Sequence, residues 1–197
     1  MDTLDYVIPL PDLEYQVASL VEIMKDPKYG DFARPHHTHN GREISGIQVV
    51  ADAKWFADFA GYDRKWHPEF KHLSPVSSII KQLNGNMQLL YSTDDYAPAL
   101  FSRFPPNVMI GRHRDNNRTG AIHIPLTNNN APTIFYNDDG EVVYEHDHGE
   151  PCIMNIMEHS HGMKNDSKER FTFQIATYHP WDIMKQWYLD GKIIINK

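Results

Sequence analysis

Between residues 88 and 178 the chain breaks into short runs of β-favouring residues separated by turn formers, and few architectures accept that texture. The runs cover residues 88–92, 99–104, 121–126, 133–136, 141–145, 151–156 and 171–178. Asn137-Asp138-Asp139-Gly140 between two of them is a strong hairpin signal, because Asp and Gly tolerate the backbone angles of a tight reversal. Short strands at this spacing predict a sandwich or barrel with Greek-key or jelly-roll pairing.

Two segments ahead of this region carry helical period instead. Leu13, Val17, Leu20, Val21 and Met24 lie on one face behind Pro11-Asp12. Val76, Ile79, Ile80 and Leu83 form a second stripe, with Ser74 and Pro75 at its entry and Gly85 at its exit. A third, shorter helix is expected over residues 182–189 behind Trp181. The aromatic and turn-rich stretch 32–70 has no period that assigns it. Helices first and strands after predict a mainly β protein with helices packed on the outside. No repeat or linker interrupts the 197 residues, so one domain is expected. Its parts are an N-terminal helical region (1–87), a β core (88–180) and a C-terminal helix or tail (181–197).

Composition narrows the function. The formal net charge of -7 disfavours general phosphate binding, so no nucleic-acid partner is expected. No apolar run approaches a bilayer span and the first residues are acidic, so neither membrane insertion nor secretion is expected. Cys152 is the only cysteine, which removes internal disulfides and thiolate clusters and suits a reducing cytoplasm. Twelve histidines beside one cysteine mean that a bound metal would take imidazole and carboxylate ligands.

His113-Arg114-Asp115 is the most informative local pattern. In an extended segment, residues two apart share a side, so His113 and Asp115 can converge on one point. A third ligand from a later strand would complete two histidines and a carboxylate on one face of an octahedral ion, the arrangement of non-haem Fe(II) oxygenases. His161 is one such residue, and His159 has the same parity. By itself H-x-D is more often a surface turn histidine beside a charge pair. Arg170, opening a β-rich run after His161, could reach into a barrel and take a carboxylate bidentately; otherwise it is an exposed strand-edge arginine. His36-His37-Thr38-His39 reads as an exposed turn or a second metal site. His146 and His148 face solvent or line a pocket mouth, and Met154, Met157 and Met163 read as core packing.

Phe101-Ser102-Arg103-Phe104-Pro105-Pro106 leading to His113, then His123-Ile124-Pro125-Leu126, then His161-Gly162-Met163-Lys164-Asn165 and Arg170, resembles the aspartyl/asparaginyl β-hydroxylase family. The resemblance runs from Phe101 to Pro180. It implies a double-stranded β-helix (jelly-roll, cupin-like) core and an Fe(II)/2-oxoglutarate-dependent dioxygenase. Such an enzyme hydroxylates an amino acid or peptidyl residue with O2, converting 2-oxoglutarate to succinate. It further implies that His113 and His161 are iron ligands, that Arg170 binds the distal carboxylate of 2-oxoglutarate, and that Ser102 and His123 help hold that cosubstrate. The spacing of His161 to Asn165 in the family favours His161 over His159.

Two departures from the family stand out. Asp115 looks like the facial-triad acid of the wider superfamily, which the animal enzymes of the family lack. A family arginine two residues before the second histidine is Ala121 here, with Arg118 the nearest replacement. Arg112, Arg114 and Arg118 either attract an anionic substrate or pair with Asp115, Asp138 or Asp139. No peptide-capturing repeat is visible, so a free amino acid or short peptide is the expected substrate. A cupin-type isomerase or 2-oxoglutarate-independent dioxygenase is the alternative, and a non-catalytic binding or sensor jelly roll the second. Neither has need of Arg170 and Ser102.

Overall fold

The computed structural model describes residues 2–26, 35–39, 42–50, 74–84, 99–116, 118–128 and 131–194. The described strands are β1 (Val7–Pro9), β2 (Pro35–His39), β3 (Arg42–Val50), β4 (Ala99–Phe104), β5 (Met109–His113), β6 (Gly120–Pro125), β7 (Thr133–Tyr136), β8 (Val142–His146), β9 (Cys152–Asn155), β10 (Ser160–Lys164) and β11 (Arg170–Thr177). The helices are α1 (Val17–Lys25), α2 (Ser74–Asn84) and α3 (Trp181–Leu189). The strands form one sheet in the order β1-β9-β6-β11-β4-β3-β2 and a second in the order β5-β10-β7-β8. All pairings are antiparallel. From β4 to β11 the chain switches sheet at every strand except between β7 and β8, which share the smaller sheet, and this is the double-stranded β-helix.

Strand alternation sorts residues between two environments. On the larger sheet Phe101, Ile122, Ile124, Ile153, Phe173 and Ile175 face the helices and pack with Leu20, Met24, Val76, Ile79, Leu83, Trp181 and Met184. Each such fully buried side chain contributes about 1.5–3 kcal/mol of transfer free energy. The intervening residues Ala121, Cys152 and Met154 turn inward and pack with Tyr6, Val7 and Phe135 of the barrel interior. One face of the sheet therefore holds the helices and the other is left for the pocket. The expected hairpin is present: the Gly140 N–H donates to Asn137 O (3.1 Å), and Gly140 adopts φ +87°.

Three features differ from the sequence expectation. The N-terminal region is not only helical: β1 extends one edge of the larger sheet through β9, and β2–β3 extends the other through β4. Strands β2 and β3 fall in the stretch that periodicity left unassigned, and the run Pro35–His39, expected as a turn, is a strand. α1 starts at Val17, because Leu13 belongs to a turn in which its N–H meets Leu10 O at 3.2 Å. Leu13 is buried in the same core nonetheless. β5 and β10 were not foreseen as strands; both are edged by polar residues and carry weak β patterning. The expected strand 88–92 lies outside the described residues.

Candidate active site

His113 ends β5 and His161 lies on β10, where the two are direct cross-strand partners with ring centroids 4.3 Å apart. Asp115 follows two residues beyond β5, its backbone N–H tied to Ile156 O at 2.9 Å. One ligand atom from each of His113, Asp115 and His161 lies within 4.8 Å of the other two. Gly162 permits the close strand approach beside His161: a Cβ there would stand 2.8 Å from the Ile110 carbonyl oxygen. The pairing register shifts between His161 and Met163 at this point.

Both imidazoles are poised for a metal. His113 Nδ1 sits 2.9 Å from Gly111 O, and His161 Nδ1 sits 3.3 Å from His159 O. A carbonyl only accepts, so each Nδ1 carries the hydrogen and each Nε2 keeps its lone pair. Burial, then the neighbouring His113, pushes His161 down to about 4, which keeps that lone pair available. On Asp115, Oδ2 accepts from Arg118 Nε (2.8 Å) and Nη2 (2.7 Å), while Oδ1 faces His113 Nε2 at 3.5 Å. Burial raises the Asp115 carboxyl, but Arg118 and the two imidazoles outweigh it and hold it below the usual carboxylate range. Arg118 thus leaves one carboxylate oxygen for a cation and occupies the other.

His159 stands outside this group. It lies in the bend before β10, so strand parity does not act on it, and its ring packs on Tyr6 at 4.5 Å. Asn165 is buried and its amide spans the carbonyls of Phe104 (3.1 Å), Pro105 (2.7 Å) and Lys168 (2.9 Å), tying the loop after β10 to the end of β4. Of the three arginines near the motif, Arg118 pairs with Asp115 and Arg114 with Asp138 at 2.6 Å.

Deeper in the barrel, Arg170 opens β11 and is only 2% exposed. Nη1 donates to Ala131 O and Met163 Sδ, both at 2.9 Å, and Nη2 donates to His123 Nε2 at 3.0 Å. Among the described residues no carboxylate pairs with this guanidinium, and burial pulls it down to about 10. A buried cation with no carboxylate bridged to it among the described residues fits an anionic ligand. Ser102 on β4 is buried opposite Thr172, two register steps from the Phe104–Arg170 pair. His123 on β6 is 1% exposed.

Sequence reasoning left His146 and His148 either facing solvent or lining a pocket mouth, and the structure turns them toward the barrel interior. His148 is fully buried, with Nε2 2.5 Å from Thr133 Oγ1 and its ring 4.2 Å from His123. His146 is half-buried at the end of β8, 5.3 Å from His148. The His-x-His repeat after the hairpin strand was the available signal, but nothing local says which sheet face it meets. Met154 and Met163 are core residues as expected, while Met157 is 45% exposed. For His36, His37 and His39 the backbone strand alone is described.

The chain thus has the fold of the double-stranded β-helix oxygenases. A Pseudomonas putida prolyl-4-hydroxylase aligns over 90% of this chain and 96% of its own, at 14% identity and TM-score 0.52. An oxidoreductase of the 2OG-Fe(II) oxygenase family from Burkholderia pseudomallei aligns over 89% and 86%, at 16% identity and TM-score 0.52. A Trichoplax adhaerens prolyl hydroxylase, solved with a peptide fragment of the hypoxia inducible factor oxygen degradation domain, aligns over 93% and 88% at 12% identity and TM-score 0.52. No curated protein sequence matches. The Aspartyl/Asparaginyl beta-hydroxylase family model matches residues 22–180, and the chain belongs to that family. It is accordingly an enzyme of a hydroxylase family.

Proposed function

We propose that this enzyme hydroxylates an unactivated C–H of an amino acid or short peptide, with His113, Asp115 and His161 holding Fe(II) and Arg170, Ser102 and His123 holding 2-oxoglutarate. The convergence of one ligand atom each from His113, Asp115 and His161, with both Nδ1 atoms held by backbone carbonyls and one Asp115 oxygen left by Arg118, carries this reading. Bound Fe(II) would supply O2 activation coupled to decarboxylation of 2-oxoglutarate to succinate. The protein's part is to fix the ligands, bind the acid and keep water out. Arg118 holds the Asp115 carboxylate ionised and turned to one side. Arg170 supplies charge where the ligand's own charge ends. Along β10, His161 and the Arg170 contact Met163 are two residues, or about 7 Å, apart. That is a span suited to a five-carbon diacid with one end at the metal and the other at the guanidinium.

The isomerase and 2-oxoglutarate-independent alternatives leave Arg170 buried with no role. A cytoplasmic location and a single domain are part of the proposal, supported by the lone, buried Cys152 and the continuous strand order. Anaerobic titration with Fe(II) and then 2-oxoglutarate, followed by amino-acid and peptide screening for coupled succinate, tests it. Absence of 2-oxoglutarate-dependent succinate release with any substrate would refute it.

A further inference from the structure

Among the described residues, three buried imidazole nitrogens in one region of the barrel have no hydrogen-bond partner: Nδ1 of His123, Nε2 of His146 and Nδ1 of His148. Unpaired buried polar atoms are costly, and three together beside a guanidinium that no carboxylate among the described residues bridges describe a place built for a ligand. The chemistry of that ligand follows from the protons. Arg170 only donates, so His123 Nε2 must accept and its hydrogen sits on Nδ1, an N–H donor without an acceptor among the described residues. His148 has one nitrogen engaged with Thr133 Oγ1 and the other open, and a threonine hydroxyl donating to Nε2 leaves Nδ1–H as donor in the same way.

Two occupants are conceivable. One nitrogen each of His146 and His148, with Cys152 Sγ, lie within 4.8 Å of one another, which is a metal-like spacing. A cation there would face the Arg170 charge and need the Cys152 thiolate, whereas burial pushes that thiol up to about 12. An anion would meet Arg170 and several N–H donors. We infer that His146 and His148 are cosubstrate-selecting residues, closing with Arg170 and His123 a chamber for the distal carboxylate of a 2-oxo diacid. This rests on the assignment of 2-oxoglutarate as cosubstrate and extends it to two histidines that the sequence left at solvent or a pocket mouth. Neutral imidazoles suit such a chamber, because they add donors without a second full charge and a diacid still leaves after turnover.

The test compares His146→Leu and His148→Leu with the unaltered enzyme, loaded with redox-silent Zn(II), in binding 2-oxoglutarate and 2-oxopentanoate, which lacks the distal carboxylate. Each variant should bind 2-oxoglutarate on the order of tenfold more weakly, with 2-oxopentanoate and Zn(II) affinity at the triad unchanged. Should a leucine variant not fold, nitrogen NMR of the histidine rings in the unaltered protein gives the answer: 2-oxoglutarate, and not 2-oxopentanoate, should move the His146 and His148 resonances. Equal losses for both acids, or histidine resonances indifferent to the distal carboxylate, overturn the inference while leaving the hydroxylase reading intact. A second equivalent of Co(II) with a thiolate charge-transfer band lost in Cys152→Ser also overturns it, in favour of a metal site. An unaltered enzyme that binds no 2-oxoglutarate overturns both.

Discussion

Two groups of histidines line the same barrel and differ in almost everything but residue type. At the mouth, His113 and His161 sit beside a carboxylate, with the His113 side chain 42% exposed and each Nδ1 tied to a backbone carbonyl. In the depth, His123 and His148 are 1% and 0% exposed, have no carboxylate against them among the described residues, and surround Arg170. Imidazole is ambivalent, and its neighbours decide its role. A carboxylate and a carbonyl on Nδ1 make the mouth pair suited to a cation, while a guanidinium bound to Nε2 makes the deep group suited to an anion.

The largest effect should come from breaking the mouth group. Asp115→Ala or His161→Ala should lower Fe(II) affinity by more than the roughly 10–100-fold typical of losing an outer-shell partner, read by anaerobic metal titration. Asp115→Ala with intact iron affinity and turnover would place this chain with the two-histidine members of the family. Next, Arg170→Ala should spare the metal and cost roughly 3–5 kcal/mol of 2-oxoglutarate binding, measured by calorimetry; retained affinity would remove Arg170 from the site. Ser102→Ala should act in the same direction by roughly 1.5–3 kcal/mol. Arg118→Ala frees the second Asp115 oxygen and should weaken Fe(II) binding about tenfold or more without touching 2-oxoglutarate affinity measured at saturating metal.

Acid should sharpen the contrast without any substitution. Burial, the largest influence, keeps His123 and His148 well below the ordinary imidazole value of 6.5, with Arg170 adding to it. The unfolded chain therefore binds protons that the folded chain refuses, and stability is lost as pH falls below about 6.5. Thermal melting of the metal-free protein across pH 5–8 should show the midpoint dropping on the acid side. The smallest effect is reserved for His159→Ala. It should leave Fe(II) affinity unchanged and cost only about 0.5–1.5 kcal/mol of stability from the lost Tyr6 contact. Abolished iron binding in that variant would mean the third ligand has been misassigned.

How much of this was legible beforehand depended on range. Runs such as Thr133–Tyr136 and the Asn137-Asp138-Asp139-Gly140 turn were readable because alternation and turn chemistry are local. β10 was not, because Ser160-His161-Gly162-Met163-Lys164 has little β patterning and is a strand only through its partners β5 and β7. The same holds for β2 and β3, which are held by the register of β4. His113, Asp115 and His161 could be proposed from the pattern and the family resemblance. That His159 falls outside the group needed the strand boundary, which a one-residue shift would have reversed.

By itself the sequence determined a sandwich or barrel of short strands, its helical cover and the residue types able to bind a metal, since alternation, helical period and side-chain chemistry are written residue by residue; the double-stranded β-helix and the diacid site came from the family resemblance. Only the tertiary structure decided that Arg118 takes one oxygen of Asp115, that β1 and β2–β3 widen the larger sheet, and that His146 and His148 turn inward to Arg170. Those outcomes depend on which strands become neighbours and in what register, a property of pairing across the whole chain that no local stretch of residues encodes.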